Sequence, residues 1–104
     1  MSDAGEHDAE RAYAEDPSGK DLPAVDFLTF IFSLSHSVLL HLGDAPDPVT
    51  GQREKNLSLA RHNIDLLAVL QEKTRGNLTG DEERVLSQAL LDCRMRFVEV
   101  AKAS

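Results

Sequence analysis

Residues 27–42 are apolar almost all the way round a helix. At 100° per residue, Phe27, Leu28, Phe30, Ile31, Phe32, Leu34, Val38, Leu39 and Leu42, together with Val25, cover an arc of roughly 220°. An ordinary surface helix needs a stripe only somewhat wider than about 100°. Asp26, Thr29, Ser33, His36 and Ser37 form the narrow polar strip that remains. Such a helix must be covered from more than one side. The pattern predicts helix over about 23–42, with Asp21 as cap, Pro23 in the first turn and Gly43 as the stop. Ser35 falls inside the apolar arc, where its hydroxyl can bond the carbonyl four residues back.

Two further amphipathic stretches follow. Over about 54–75, Leu57, Ala60, Ile64, Leu67 and Gln71 make one seam, and Leu59, Leu66 and Leu70 a second beside it. Ser58, Arg61, Asp65 and Glu72 line the opposite face. Arg61 and Asp65, four apart, are expected to pair at the surface. Asn63 lies within the apolar arc, either fixing register from a buried position or reaching a backbone group from the seam's edge. Over about 80–102, Leu86, Ala89, Leu90, Cys93, Phe97, Val100 and Ala101 form the main seam. Leu91, Met95 and Val98 form another stripe, well off the first, which must meet either the first helix or another subunit.

Between the second and third stretches lies the sharpest signal in the chain. Gly76 suits the left-handed conformation that ends helices, with Lys73 and Arg75 complementing the negative end of the helix dipole. Thr79 as N-cap and Glu82 three residues on spell a capping box, reinforced by Asp81. So short a connection predicts an antiparallel helical hairpin. Residues 43–53 carry two Pro, two Gly and several turn formers, and read as a loop. Asp44, Asp47 and Gly51 do not make a calcium loop, because the regular acidic spacing and the closing Glu are missing.

Composition narrows the function. The 104 residues carry a formal net charge of −7. Residues 1–21 hold seven acids and two bases, net −5, which leaves only −2 for the rest. These residues lack a periodic apolar face and are expected to be a disordered acidic tail, with a helical turn around Tyr13 conceivable on binding. The single domain would then be 22–104. The balance argues against nucleic-acid binding, which needs a clustered basic face. Arg94 and Arg96 are the residues that could contact RNA or an anion, but are expected to pair with Asp92, Glu99 or a neighbouring subunit. One Cys allows no internal disulfide and suits a reducing cytosol. No signal peptide is evident, and 27–42 is too short and too polar for a membrane span, so a cytoplasmic protein is expected.

Catalytic and metal chemistry finds little to work with. His36 and His41 project about 140° apart on a helix, unlike ligand pairs at i, i+3 or i+4. His62 lies on a polar face, and Cys93 in a core seam, where a cysteine behaves as a small hydrophobe. Asp81, Glu82 and Glu83 are accounted for by a helix N-terminus. No phosphate-cradling glycine loop and no nucleophile elbow are present. No catalytic residue, cofactor or metal is therefore expected.

The stretch Gln71-Glu72-Lys73-Thr74-Arg75-Gly76-Asn77-Leu78-Thr79 resembles the hallmark of a family of small bacterial proteins, domain of unknown function 1844. Asp26-Phe27-Leu28-Thr29-Phe30 with Ser33-Leu34, then Ile64-Asp65-Leu66-Leu67 and Leu90-Leu91-Asp92-Cys93-Arg94-Met95-Arg96, resemble it in the same order. Together they cover about 26–102. The resemblance implies an all-helical fold in a bacterial protein and brings no activity, substrate or catalytic residue.

The expected architecture is all-α: a helical hairpin with a very apolar first helix across it. The excess of apolar faces predicts a homodimer, with Leu91, Met95 and Val98 and, from the first helix, Phe27, Ile31 and Leu34 at the contact. Gly76, Thr79 and Glu82 are read as structural caps. The expected function is a non-catalytic interaction or scaffold protein. The alternative is a carrier of an apolar ligand held between the first helix and the hairpin, lined by Phe27, Phe30 and Phe32.

Overall fold

A computed structural model describes residues 25–104. The expected acidic tail, and the proposed helical start at Pro23 with its cap Asp21, lie outside the described residues. Within them the chain forms three helices: α1 (Phe27–His41), α2 (Leu57–Lys73) and α3 (Gly80–Ala103). The fold is all-α, as the periodicities predict.

Side chains that satisfy the first-turn amides set where each helix starts. Asp26 caps α1, and its carboxylate accepts from the Thr29 amide at 2.8 Å. The helix thus begins at Phe27, since Asp26 lies in extended backbone and offers the first-turn donors a charged acceptor. Asn56 caps α2 through the Leu59 amide at 3.0 Å, so the helix starts at Leu57, three residues beyond the expected Glu54. Thr79 and Glu82 form the expected capping box. The Glu82 amide donates to the Thr79 hydroxyl at 3.2 Å, and the Thr79 amide to the Glu82 carboxylate at 2.9 Å.

The helix ends need left-handed residues. Past α1, Gly43 has φ +82; its amide bonds the Leu40 carbonyl and the Asp44 amide the Leu39 carbonyl, a Schellman pattern. Helix α2 stops at Lys73, two residues before the expected end. The Thr74 hydroxyl takes up the Leu70 carbonyl at 2.6 Å, and Arg75 lies past the helix, ion-paired to Glu72 at 2.9 Å. Gly76, at φ +84, completes a turn closed by the Asn77 amide on the Thr74 carbonyl. Nothing lies within 4 Å of where a Gly76 Cβ would be, so a side chain there meets strain but no clash. Gly76→Val should therefore destabilise by about 1–2 kcal/mol, and Thr79→Ala by about 1 kcal/mol through the lost cap. Denaturant titration checks both, and an unchanged midpoint in either would contradict these roles.

Contacts far apart in sequence set the helix directions. Gln71 Nε2 donates to the Ser87 hydroxyl at 3.1 Å, and Lys55 Nζ to the Ser104 hydroxyl at 2.9 Å. Both pairs straddle residue 79 almost symmetrically, so α2 and α3 run antiparallel. The 43–56 connection folds back at its base, where the Asn56 amide bonds the His41 carbonyl at 2.7 Å beside a Leu42–Lys55 bridge. Helix α1 is therefore antiparallel to α2 and runs the same way as α3. Each helix contacts both others.

One core joins them. Helix α1 contributes Ile31 and Val38, with Leu42 just past its end; α2 contributes Ala60, Ile64 and Leu67; α3 contributes Leu86, Leu90, Cys93 and Val100. The expected main seams of α2 and α3 are the ones that face inward. Ser35 bonds the Ile31 carbonyl at 2.9 Å, which removes the penalty of a hydroxyl in an apolar arc. Asn63 is half-buried at the edge of the α2 seam. The Arg61–Asp65 pair does not form: both side chains are exposed and stay beyond ion-pair distance of each other. An exposed pair gains too little from attraction to offset the entropy of fixing two long side chains.

Candidate functional site

The three-helix core leaves a large share of the apolar residues uncovered. On α3, Leu91, Met95 and Val98 are 52, 56 and 48 % exposed. Helical geometry places this stripe roughly 150° from the mean direction of Leu86, Leu90, Cys93 and Val100. Of the two fates open to the stripe, contact with α1 is not what the structure shows. It lies on the outer surface of the protomer.

The three expected contact residues of α1 are placed differently. Ile31 is wholly buried in the protomer's core, and Phe27 and Leu34 are half-buried against it. Ile31 is thus no surface residue, because the centre of the apolar arc meets both other helices. The apolar surface of α1 is instead supplied by the flanks of the arc: Phe30, Phe32 and Leu39 are all exposed. On α2, Leu59 and Leu66 of the second seam are exposed while its Leu70 is half-buried, and Val69 beside it is exposed too.

Phe32 and Leu39 stand over a groove of about 510 Å³ between α1 and α3. Val85, Ala89 and Cys93 line it from the α3 side, with Ser35 opposite. The polar members Gln88, Asp92 and Arg96 are exposed. Of the three phenylalanines expected around an apolar ligand, only Phe32 lines this groove. The sequence reading missed Leu39, Val85 and Ala89 as a set, because they come from helices that meet only in the folded chain. The available signal was the small pair Ser35 and Ala89, each on a flank of its seam.

Charges around the groove are tied up among themselves. Arg96 grips Asp44 with two parallel bonds, Nε to Oδ2 at 2.6 Å and Nη2 to Oδ1 at 2.8 Å, and gives Nη1 to Glu99 at 2.8 Å. Arg53 adds a bond to the Asp44 carbonyl oxygen at 2.5 Å. Asp92 accepts from Gln88 at 2.8 Å and does not pair with Arg96. Glu99 does, as the spacing suggested. The bidentate bond to Arg96 holds the Asp44 carboxyl below its ordinary value of 3.8. In the unfolded chain Asp44 regains that value. The clamp's contribution to stability is therefore complete above about pH 4 and is lost as pH falls through the lower folded-state value. Asp44→Asn should lower the melting temperature by a few degrees at neutral pH, and the gap should close on acidification. Thermal melts of both proteins between about pH 7 and pH 3 check it; a gap that persists undiminished in acid would rule out the carboxylate as its source.

The remaining polar groups are accounted for locally. Burial pushes the Cys93 thiol up, beside Ser35, which leaves little thiolate to act as nucleophile or ligand. His36 and His62 are exposed and His41 is half-buried. Among the described residues no three His, Cys, Asp or Glu side chains gather closely enough to hold a metal ion. Asp47 folds its carboxylate back onto the Val49 amide at 2.7 Å. Asp44 is thus spent on Arg96 of α3 and Asp47 on its own loop, rather than both converging on a cation.

No helix among the described residues is long and apolar enough to cross a membrane. No curated protein and no solved structure matches the chain. A family model described as "Domain of unknown function (DUF1844)" matches residues 24–99. That span takes in all of α1 and α2 and most of α3, and so contains the turn signature at 71–79, the groove and the outer stripe. The chain therefore belongs to the domain of unknown function 1844 family.

Proposed function

We propose that this protein is a non-catalytic helical interaction module that self-associates through the apolar surface of α1 and α3. The observation that carries the reading is the half-exposed stripe Leu91, Met95 and Val98 on the side of α3 away from the core. Phe32 and Leu39 add separate exposed apolar surface on α1, at the edge of the groove. Scattered apolar residues are ordinary on a protein surface, but three at helical spacing make a continuous ridge. Two-fold pairing is the commonest way to bury one. The single cysteine supports a reducing, cytoplasmic setting, and the resemblance to the family of small bacterial proteins implies a bacterial one. Light scattering coupled to size exclusion tests the reading. A dimer at micromolar concentration is expected, and a stable monomer there would sink it.

The groove supports a second reading, a carrier of a small apolar ligand. Its volume and its lining by Phe32, Leu39, Val85 and Ala89 favour it, since ligand sites are concave and mainly apolar. Native mass spectrometry of freshly purified protein separates the two, because a carrier retains ligand mass and a self-associating module shows a multiple of the bare chain.

A further inference from the structure

The charges beside the α3 stripe have an arrangement that chooses between the two ways of pairing it. Leu91, Met95 and Val98 follow the alternating spacing of four and three residues found in two-stranded seams, and Gln88 and Lys102 continue it at either end. One flank of this line carries Asp92 and Glu99; the other carries Arg94. All three are exposed. Arg94 has no acid within ion-pair distance among the described residues. Glu99 uses only Oε2 toward Arg96.

Consider the stripe against a second copy of itself. In an antiparallel pair centred on Met95, like flanks meet: Asp92 would face Glu99 of the second copy, and the two Arg94 side chains would face one another. Every flanking contact is then repulsive. In a parallel pair in register, unlike flanks meet, and Arg94 stands five residues before Glu99 of the second copy. That is the spacing at which flanking charges pair across a parallel seam. The two-fold axis forms the contact twice. Helices α1 and α2 sit on the opposite side of α3, so neither stands between the two copies of the seam.

We propose that two copies pair through the outer face of α3 as a short parallel seam of Leu91, Met95 and Val98, with Arg94 of each reaching Glu99 of the other. This rests on the self-association reading above and adds its face and direction. The exposed and therefore weak individual ion pairs act mainly by excluding the antiparallel alternative.

Cysteine cross-linking of the full chain tests the direction. Leu91→Cys and Val98→Cys are each oxidised alone and then as a mixture, with circular dichroism confirming the fold. Parallel pairing predicts that each variant cross-links to its own copy. If the disulfide forms only in the mixture, the pairing is antiparallel and the proposal is overturned while self-association stands. A dimer that cross-links in neither case uses another face, which overturns the proposal in the same way. A monomeric parent overturns both readings together. Charge reversal supplies a second arm, read by sedimentation. Arg94→Glu should weaken the dimer about tenfold, and adding Glu99→Arg should restore most of the loss. A double variant no tighter than the single would remove the Arg94–Glu99 contact from the proposal.

Discussion

Ile31→Ala should lower the unfolding free energy by about 2–5 kcal/mol, the range for emptying a fully buried aliphatic site. Ile31 is 0 % exposed and joins the core formed with α2 and α3. Removing its branches leaves a void in a core that all three helices build, so no single helix can move in to close it. A domain of about 80 residues has roughly 4–12 kcal/mol in total, so this one change can leave the chain close to unfolded at ambient temperature. The contrast with Met95 gives the experiment its meaning. Met95→Ala, on the outer face, should change protomer stability by less than about 0.5 kcal/mol. Chemical denaturation of both, at a concentration low enough for the protein to be monomeric, measures the difference. Equal losses would contradict the division of α1 and α3 into an inward and an outward face.

The second large effect is expected for Met95→Glu, read as molecular mass rather than as stability. Met95 is 56 % exposed and sits at the middle of the stripe, with Leu91 and Val98 on either side. A glutamate there is well solvated in the separated protomer. In an assembled pair it would place two carboxylates in the centre of an apolar seam, where burying unpaired charge is prohibitive. The variant should therefore keep its circular dichroism and melting curve while running as a monomer at concentrations where the parent is dimeric. Concentration-dependent light scattering decides. A variant as dimeric as the parent would take the stripe out of the interface and leave Phe30, Phe32 and Leu39, or the exposed α2 face, to supply it. Loss of the fold would contradict the exposure seen for Met95.

Much of this protein is local in origin and could be read residue by residue. The capping box of Thr79 and Glu82, the left-handed Gly43 and Gly76, and the Ser35 bond to the Ile31 carbonyl involve groups within five residues of each other. Their chemistry is complete before the helices meet. The inward seams of α2 and α3 were legible for a related reason, since a 3.6-residue period is a property of one helix alone. Helix starts were less so. Asp26, read as part of the polar strip of α1, instead caps that helix, because its carboxylate reaches the Thr29 amide.

What lay beyond the sequence depends on where two distant segments come to rest. The amphipathic stripe of Leu91, Met95 and Val98 was visible, but whether α1 would cover it was not, because periodicity says which residues share a face and not which face a neighbour takes. The arc of α1 predicted Phe27, Ile31 and Leu34 at a contact between copies. Only the tertiary structure shows that the arc's centre, Ile31 and Val38, is consumed by the protomer and its edges, Phe30, Phe32 and Leu39, are left outside. The Asp44–Arg96 clamp spans 52 residues, and the groove needs Phe32 and Leu39 brought over Val85 and Ala89. The sequence by itself determined the three helices, the Thr79–Glu82 capping box and the hairpin, because these follow from short-range hydrogen bonding and periodicity. Tertiary structure alone decided which apolar residues stay exposed, because that is set by the packing of three helices whose apolar faces exceed what they can cover among themselves.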